Sequence, residues 1–344
     1  MTSVRTLSRA VAFGLALQAA TAWGALTDVV VLKNGDRITG EVQQLDRGRL
    51  RYKTDDIGTV EIEWDNVQSV TAAAPFDVDD VNGDLYLGTL APGPAAGQVL
   101  IAWKGEEHTV ELSRIVRMRR LHTSFWQRLD GSLDVGASYT SASELFKADF
   151  AGTVGIERPG FEVSLDGTST LTTQPGVDDT RRSLVSLGYE RRFPNRWVAL
   201  AKVQAEQNRE LGFDLRSSAS VGGGRYLVQE QKNRLLAGVG ISVNREHPTD
   251  DSDTTTNVEA TVLLHYDRFS WDFPNLDISI VAGGFASLND GGRYRVELDA
   301  RLKREIVRDF YATLRGYESY DNRPATEEAP FHDYGVTFAL GWTF

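Results

Sequence analysis

The clearest pattern in the chain is an alternation of apolar with polar or small residues over its last stretch, residues 334–344. A period of two is typical of a β-strand with two unlike faces. Outer-membrane β-barrels close with strands of this kind, which turn apolar side chains to lipid and carry aromatic residues near the membrane surfaces. The pattern favours a barrel strand over a strand of a soluble antiparallel domain. Its apolar face consists of Tyr334, Val336, Phe338, Leu340, Trp342 and Phe344.

Similar alternating segments, separated by turn residues, follow one another from residue 127 to the end of the chain. Most are longer than the roughly 9–11 residues that cross a bilayer as a tilted strand. Their number is even, as in bacterial single-chain barrels. The sequence therefore predicts an all-β protein with an antiparallel transmembrane β-barrel of about twelve strands, within two, over residues 122–344. The predicted strands are 127–140, 145–157, 160–173, 180–193, 196–208, 212–227, 232–245, 254–268, 274–288, 291–305, 309–320 and 332–344.

The region before the barrel contains a repeat of short strand-like segments. Asn34-Gly35-Asp36 recurs as Asn82-Gly83-Asp84 at an offset of 48 residues, and Gly40 recurs as Gly88 at the same offset. An Asn-Gly pair favours a tight hairpin turn because both residues tolerate positive φ. A repeated supersecondary unit predicts two small SH3-like or Sm-like β modules in tandem. We assign them to residues 25–75 and 76–121.

The start of the chain resembles a secretory signal peptide. Arg5 and Arg9 precede an uncharged run that ends in small residues. A positive start, a short apolar run and an A-x-A site describe a segment that is removed on export. We assign residues 1–24 to it, and a buried N-terminal helix is the alternative. The predicted cleavage region contains Ala20, Ala22 and Gly24, which places the two β modules in the periplasm.

Composition narrows the choice of function. The net charge of −11, without a basic domain, argues against nucleic acid as a partner. The absence of cysteine excludes disulfides, thiolate metal sites and a cysteine nucleophile. His265 and Asp267 share one face of a predicted strand, but no G-x-S-x-G motif is present. We therefore predict no enzyme activity, no catalytic or metal-binding residues and no cofactor, and an enzyme such as a lipase is disfavoured.

One predicted strand, 291–305, has charged residues at every second position. By parity these side chains face the barrel interior, so they are candidates for lining the lumen and guiding an anionic solute. The alternative, which we favour, is that they pair with carboxylates on neighbouring strands, because buried charges must be paired. The candidates are Arg293, Arg295, Glu297, Asp299, Arg301 and Lys303.

Three features together resemble the salt-induced outer-membrane protein family, also called domain of unknown function 481. They are the signal peptide, the segment LKNGDRITGEV at Leu32–Val42, and an alternating barrel that ends in FALGWTF. The resemblance covers about residues 123–344. It implies a Gram-negative outer-membrane barrel with no established reaction.

The predicted function is therefore a porin-like narrow pore or an envelope and osmotic-stress barrel. The alternative is a barrel anchor whose periplasmic modules bind cell wall or a partner protein. The predicted partners are outer-membrane lipid, the barrel-assembly machinery, and small solutes or a periplasmic protein.

The chain terminus generates the first testable prediction. Leu340, Trp342 and Phe344 resemble the terminal signal read by the barrel-assembly machinery, with Ala339 where that signal usually has glycine. Phe344→Ser should lower the amount of folded protein in the outer membrane severalfold, because the terminal aromatic side chain is lost. Immunoblotting of outer-membrane fractions measures this, with Phe331→Ser as the matched control. Wild-type levels of the Phe344 variant would contradict the terminal signal.

Overall fold

The structure is a computed structural model that describes residues 27–121, 129–141, 144–209, 213–249, 253–307, 310–324 and 330–342. The predicted signal peptide and the terminal Phe344 lie outside the described residues. Apart from short 3-10 turns, the regular elements described are β-strands. No helix within these ranges is long and apolar enough to cross a membrane.

The first part of the chain forms a nine-stranded antiparallel sheet. Its strands lie in the order β4-β3-β2-β1-β5-β6-β7-β8, and the last strand pairs with both β2 and β5. The strands are β1 (Asp28–Leu32), β2 (Arg37–Asp46), β3 (Arg49–Thr54), β4 (Gly58–Glu63), β5 (Val67–Asp80), β6 (Leu85–Pro92), β7 (Gln98–Trp103), β8 (Glu106–Glu111) and β9 (Ile115–Arg120).

The structure joins the two predicted modules into one N-terminal domain, residues 27–121. Strand β5 has 14 residues and pairs with β1 along its first half and with β6 and β9 along its second half. One hydrophobic core contains side chains from both copies, such as Val30 and Ile115. The indole N–H of Trp64 donates to the carbonyl of Leu112 at 2.7 Å, which links the copies directly. The repeated turn glycines Gly35 and Gly83 have φ of 93° and 79°, as the Asn-Gly pairs predict.

The second part of the chain is a twelve-stranded antiparallel β-barrel sheet in which each strand pairs with the next, as the alternation predicts. Its strands are β10 (Leu129–Thr140), β11 (Leu145–Arg158), β12 (Phe161–Gln174), β13 (Val177–Phe193), β14 (Trp197–Asn208), β15 (Phe213–Gln229), β16 (Asn233–Pro248), β17 (Thr255–Ser270), β18 (Leu276–Ser287), β19 (Tyr294–Val307), β20 (Phe310–Asp321) and β21 (His332–Trp342).

The two faces of this sheet differ in chemistry. One face carries large apolar side chains that protein atoms leave exposed, including Val135, Val239 and Phe338. We call it the outer face. The other, inner face is polar and concave, because the side chain of Arg293, directly before β19, reaches Glu246 on β16 across two intervening strands. A contiguous apolar surface of this extent marks contact with another apolar phase.

The two ends of the barrel also differ. Short turns at residues 159–160, 194–196 and 230–232 lie at the end where the N-terminal domain contacts the barrel, which we call the proximal end. The connections at the other, distal end include the longer segments 288–293 and 322–331. The N-terminal domain therefore lies at the end with the tight turns.

The edge strands β10 and β21 generate the second prediction. Within the described residues no ladder joins them. In lipid an unpaired backbone N–H or C=O costs several kcal/mol, so we expect the two edges to pair in a bilayer. A cysteine at Val135 should form a disulfide with a cysteine at one of three outer-face positions of β21: Val336, Phe338 or Leu340.

The native chain has no cysteine, so each variant carries a single pair. Oxidative crosslinking in proteoliposomes measures closure. Leu314 and Phe338 are register partners on β20 and β21, and cysteines at these positions are the positive control. If this control pair crosslinks and all three β10–β21 pairs fail, the strands do not close.

Candidate functional site at the proximal mouth of the barrel

The N-terminal domain is held on the proximal end by hydrogen bonds from the barrel turns to its backbone. Arg196 Nε donates to the carbonyl of Val81 at 2.8 Å, and Gln231 Nε2 donates to the carbonyl of Ile115 at 2.8 Å. The indole N–H of Trp271 donates to the carbonyl of Arg47 at 2.6 Å. Three separate turns of the barrel therefore contact the same domain, which fixes its orientation over the mouth.

The centre of the contact is Arg192, an inner-face residue near the proximal end of β13. Its guanidinium group lies 2.9 Å from Asp77 and 2.7 Å from Asp79, both on β5. The backbone N–H of Gly160 also donates to Asp77, at 3.2 Å. All three charged side chains are buried. Removing one partner of a buried pair leaves an uncompensated charge, so this cluster strongly favours the docked arrangement.

The two carboxylates share this guanidinium group, and the pKa of Asp77 is raised in this buried cluster. Burial raises it from the ordinary value of 3.8 to about 6, and repulsion from Asp79 adds to the effect. Arg192, the Gly160 N–H group and Arg117 act in the opposite direction without cancelling it. Asp77 therefore titrates close to neutral pH in the docked structure.

A second contact comes from the turn between β2 and β3. Arg234, on the inner face of β16, lies 2.6 Å from Asp46. The next residue, Arg47, lies over the ring of Phe269 at 4.7 Å and 3.9 Å from Asp277. Burial alone would raise the pKa of Asp46, but Arg234 holds it below its usual value. Since Phe269 and Asp277 also lie on the inner face, the tip of this turn reaches the lumen wall.

The backbone of the turn allows this reach. Arg47 has φ of 53° and Gly48 has φ of 72°, so two consecutive residues adopt left-handed conformations. This geometry makes a tight hairpin that projects its side chains away from the domain. Two contacts that are distant in sequence, one through β5 and one through the β2–β3 turn, thus bind the same rim of the barrel.

Five of the six predicted lumen-lining residues lie on the inner face of β19, the sixth, Arg293, directly precedes that strand, and most contact a partner. Arg293 is 2.7 Å from Asp321 and 3.2 Å from Glu246. Arg295 is 2.9 Å from Glu259 and 3.0 Å from Glu297. Arg293 and Arg295 thus pair with carboxylates, some on other strands and one, Glu297, on β19 itself.

Nearer the proximal end, the same strand is less enclosed. Arg301 is 3.1 Å from Asp277, and Lys303 Nζ lies 4.4 Å from the ring centre of Tyr311. Asp299 is the register partner of Tyr317. The charged residues of β19 therefore close the distal lumen on this side and leave its proximal part more open.

The structure also shows where the predicted assembly signal and the His265–Asp267 pair lie. Leu340 and Trp342 are exposed on the outer face of β21. His265 lies 3.1 Å from Asp267 on the inner face of β17. In the part of the chain that the structure describes, no three His, Asp or Glu residues form a group that could hold a metal ion.

The contact residues Arg192, Asp77, Asp79, Asp46 and Arg47 were not singled out by the sequence pattern. Alternation places Arg192 on the inner face, but it does not indicate whether its partner lies in the barrel or in another domain. The only available signal is that Asp77 and Asp79 alternate with the core residues Phe76 and Val78, which gives β5 one acidic face.

The chain is similar to one protein family and to one solved porin structure. A family model described as "Protein of unknown function, DUF481" matches residues 133–344. No curated protein matches the chain. The solved structure described as "NanC porin structure in rhombohedral crystal form" aligns with a TM-score of 0.36 and 11% identity, over 62% of this chain and 100% of that chain. A likeness at this level carries no argument about function.

The Asp77 cluster generates the third prediction. The pKa of Asp77 is higher in the folded chain than in the unfolded chain. The protonated Asp77 side chain therefore stabilises the fold fully below pH 3.8, and this stabilisation is lost as the pH rises through about 6. Through this group alone, the free energy of unfolding should fall by about 1 kcal/mol between pH 5 and pH 7.

Urea unfolding of the N-terminal domain in the detergent-solubilised full chain measures the change. Asp77→Asn should flatten the pH dependence by that amount, because the amide does not titrate. Asp55→Asn, which changes an exposed carboxylate in the β3–β4 turn, is the matched control and should retain the wild-type slope. An unchanged slope in Asp77→Asn would show that this carboxyl does not titrate in the range.

Proposed function

The chain belongs to the DUF481 family, and we propose that it is a bacterial outer-membrane β-barrel protein that forms a narrow pore, partly occluded by its own N-terminal domain. Barrels of this membrane have short periplasmic turns and longer outer loops. That rule supports an orientation with the proximal end and the N-terminal domain in the periplasm. The apolar outer face supports a lipid environment for the barrel.

The observation that carries the proposal is the use of inner-face residues to hold the N-terminal domain. Arg192, Arg234 and Phe269 all face the lumen at the proximal rim, and all contact that domain. A domain tethered only by the chain would need no contact with lumen residues. Because the partners of these residues come from β5 and the β2–β3 turn, the domain narrows the mouth from the periplasmic side.

The interior of the barrel supports a narrow path rather than a wide channel. On the side formed by β15 to β19, the buried Glu246 pairs with Arg216 on the next strand, and the buried Glu259 on β17 pairs with Arg295 on β19. On the opposite side, inner-face residues of β10 and β12 such as Asp134 and Asp166 are polar and exposed. Twelve strands enclose more space than the side-chain-filled barrels of eight strands. Water and small solutes would therefore pass along the β10–β12 wall.

The fourth prediction tests the pore directly in planar bilayers with the refolded full chain. The wild-type protein should give small, steady conductance steps. Arg192→Ala should raise the conductance severalfold, because leaving two buried carboxylates unpaired costs about 3–5 kcal/mol and releases the domain from the mouth. Arg191→Ala, one position away on the outer face, is the matched control and should behave as the wild type.

Insertion of each variant is checked by heat-modifiable migration of the barrel on gels. If Arg192→Ala fails to assemble, the double variant Asp77→Asn with Asp79→Asn weakens the same contact from the N-terminal domain. Correctly inserted wild-type and variant barrels that are all silent would contradict a pore. That result would favour the alternative, in which the barrel anchors a domain that binds cell wall or a partner protein.

A further inference from the structure

The docked N-terminal domain leaves part of the proximal mouth uncovered. The contacts through Arg192, Arg234, Phe269 and Asp277 all lie on strands β13 and β16 to β18. On the other side of the mouth, beside the contacts of Gly160 and Glu162, the described residues leave a cleft of about 670 Å³ between the domain and strands β10 to β12. This volume lies within the range of about 300–1,000 Å³ that is usual for small-molecule sites.

The cleft leads into the lumen. Its barrel wall includes Ser132, Thr153 and Ser164, and the strand register places all three on the inner face. Thr153 pairs with Ser132 on one neighbouring strand, and its hydroxyl donates to Asp166 on the other at 2.7 Å. A solute in the cleft would therefore meet the same polar wall that continues up the exposed side of the barrel.

The charge balance of the cleft is positive. Two charged residues of the lining already form ion pairs. Arg120 pairs with Asp28 at 2.5 Å, and Glu162 pairs with Arg117 at 3.4 Å. Arg51 of the N-terminal domain and Arg158, which the register places on the outer face at the proximal end of β11, also line the cleft, and both are exposed. Neither forms an ion pair with another described side chain.

Asp130 is an exposed carboxylate in the same walls that likewise has no ion-pair partner among the described side chains. Two available guanidinium groups thus face one available carboxylate. This is a local positive site in a chain whose net charge is −11.

We propose that this cleft is the periplasmic opening of the pore and that it binds small anions with carboxylate or phosphate groups while the N-terminal domain stays docked. The inference rests on the proposed pore function and adds the route and the solute class. Guanidinium groups bind carboxylate and phosphate in a fork geometry, with two parallel hydrogen bonds. A cleft of one charge sign between low-dielectric walls also raises the local concentration of the opposite ion.

Ion selectivity of the full chain tests the charge of the opening. Reversal potentials across a potassium chloride gradient should show a preference for chloride in the wild type. The double variant Arg51→Glu with Arg158→Glu should lose or reverse this preference. Arg37→Glu with Lys104→Glu changes the net charge equally at exposed positions that do not line the cleft, and it should keep the preference. Equal effects of the two doubles would contradict a selective cleft.

Cysteine modification tests the route, since the native chain has no cysteine. Ser132→Cys faces inward beside the cleft, and Leu133→Cys faces the lipid one position later. A negatively charged thiosulfonate reagent added from the periplasmic side should reduce the conductance of the first variant by at least half. It should leave the second unchanged. Conductance that persists after complete modification of Ser132→Cys would place the route elsewhere.

A locked domain separates this inference from the proposed pore. Lys232 Nζ lies 3.0 Å from Asp65 at an exposed part of the interface, so cysteines at both positions can be joined by a short bis-maleimide. Conductance should be unchanged after crosslinking, because the cleft stays open. If the wild-type and locked chains show no conductance but Arg192→Ala conducts, the protein is a pore, and the proposal that the cleft is its opening is wrong. If none of them conducts, the pore itself is wrong.

Discussion

The arrangement of this molecule depends on the cost of burying charge. Arg192 is an arginine on the inner wall of a barrel, with no room for bulk water around its guanidinium group. It is retained there because Asp77 and Asp79, from a different domain, lie within hydrogen-bonding distance. Without those partners, the desolvated charge would cost several kcal/mol. The pairing therefore fixes both where the N-terminal domain lies and which part of the mouth it covers.

The same constraint divides the lumen into two unlike sides. From β15 to β19 several inner-face charged residues, such as Glu246, Glu259 and Arg295, are buried and paired, so this part of the lumen is closed. From β10 to β12 the inner face carries hydroxyl and carboxylate groups that remain exposed. The N-terminal domain docks mainly on the closed side, with Arg117 and Glu162 as an additional contact near the open side. An asymmetric interior and an asymmetric cover together support the proposed polar route rather than a central channel.

Much of the barrel follows from the sequence, because alternation reports directly which side of a strand faces lipid. Strand β21 shows this well, since Tyr334 to Trp342 alternate in the structure as they do in the sequence. The domain contact did not follow, because a charged residue on an inner face looks the same whatever its partner is. The joined core of the N-terminal domain was also missed. The repeat identifies two copies, but it does not reveal that β5 continues through both.

The long sequence separation of the mouth contacts has a consequence for how the protein is assembled. Arg192 and Asp77 are 115 residues apart, and Arg234 and Asp46 are 188 residues apart. Contacts at such separation form late, because the intervening chain must first be ordered. The N-terminal domain has its own core, so it can fold before the rim of the barrel exists. The proximal mouth therefore stays uncovered until β13 and β16 are in place, and docking of the N-terminal domain is the last step of folding.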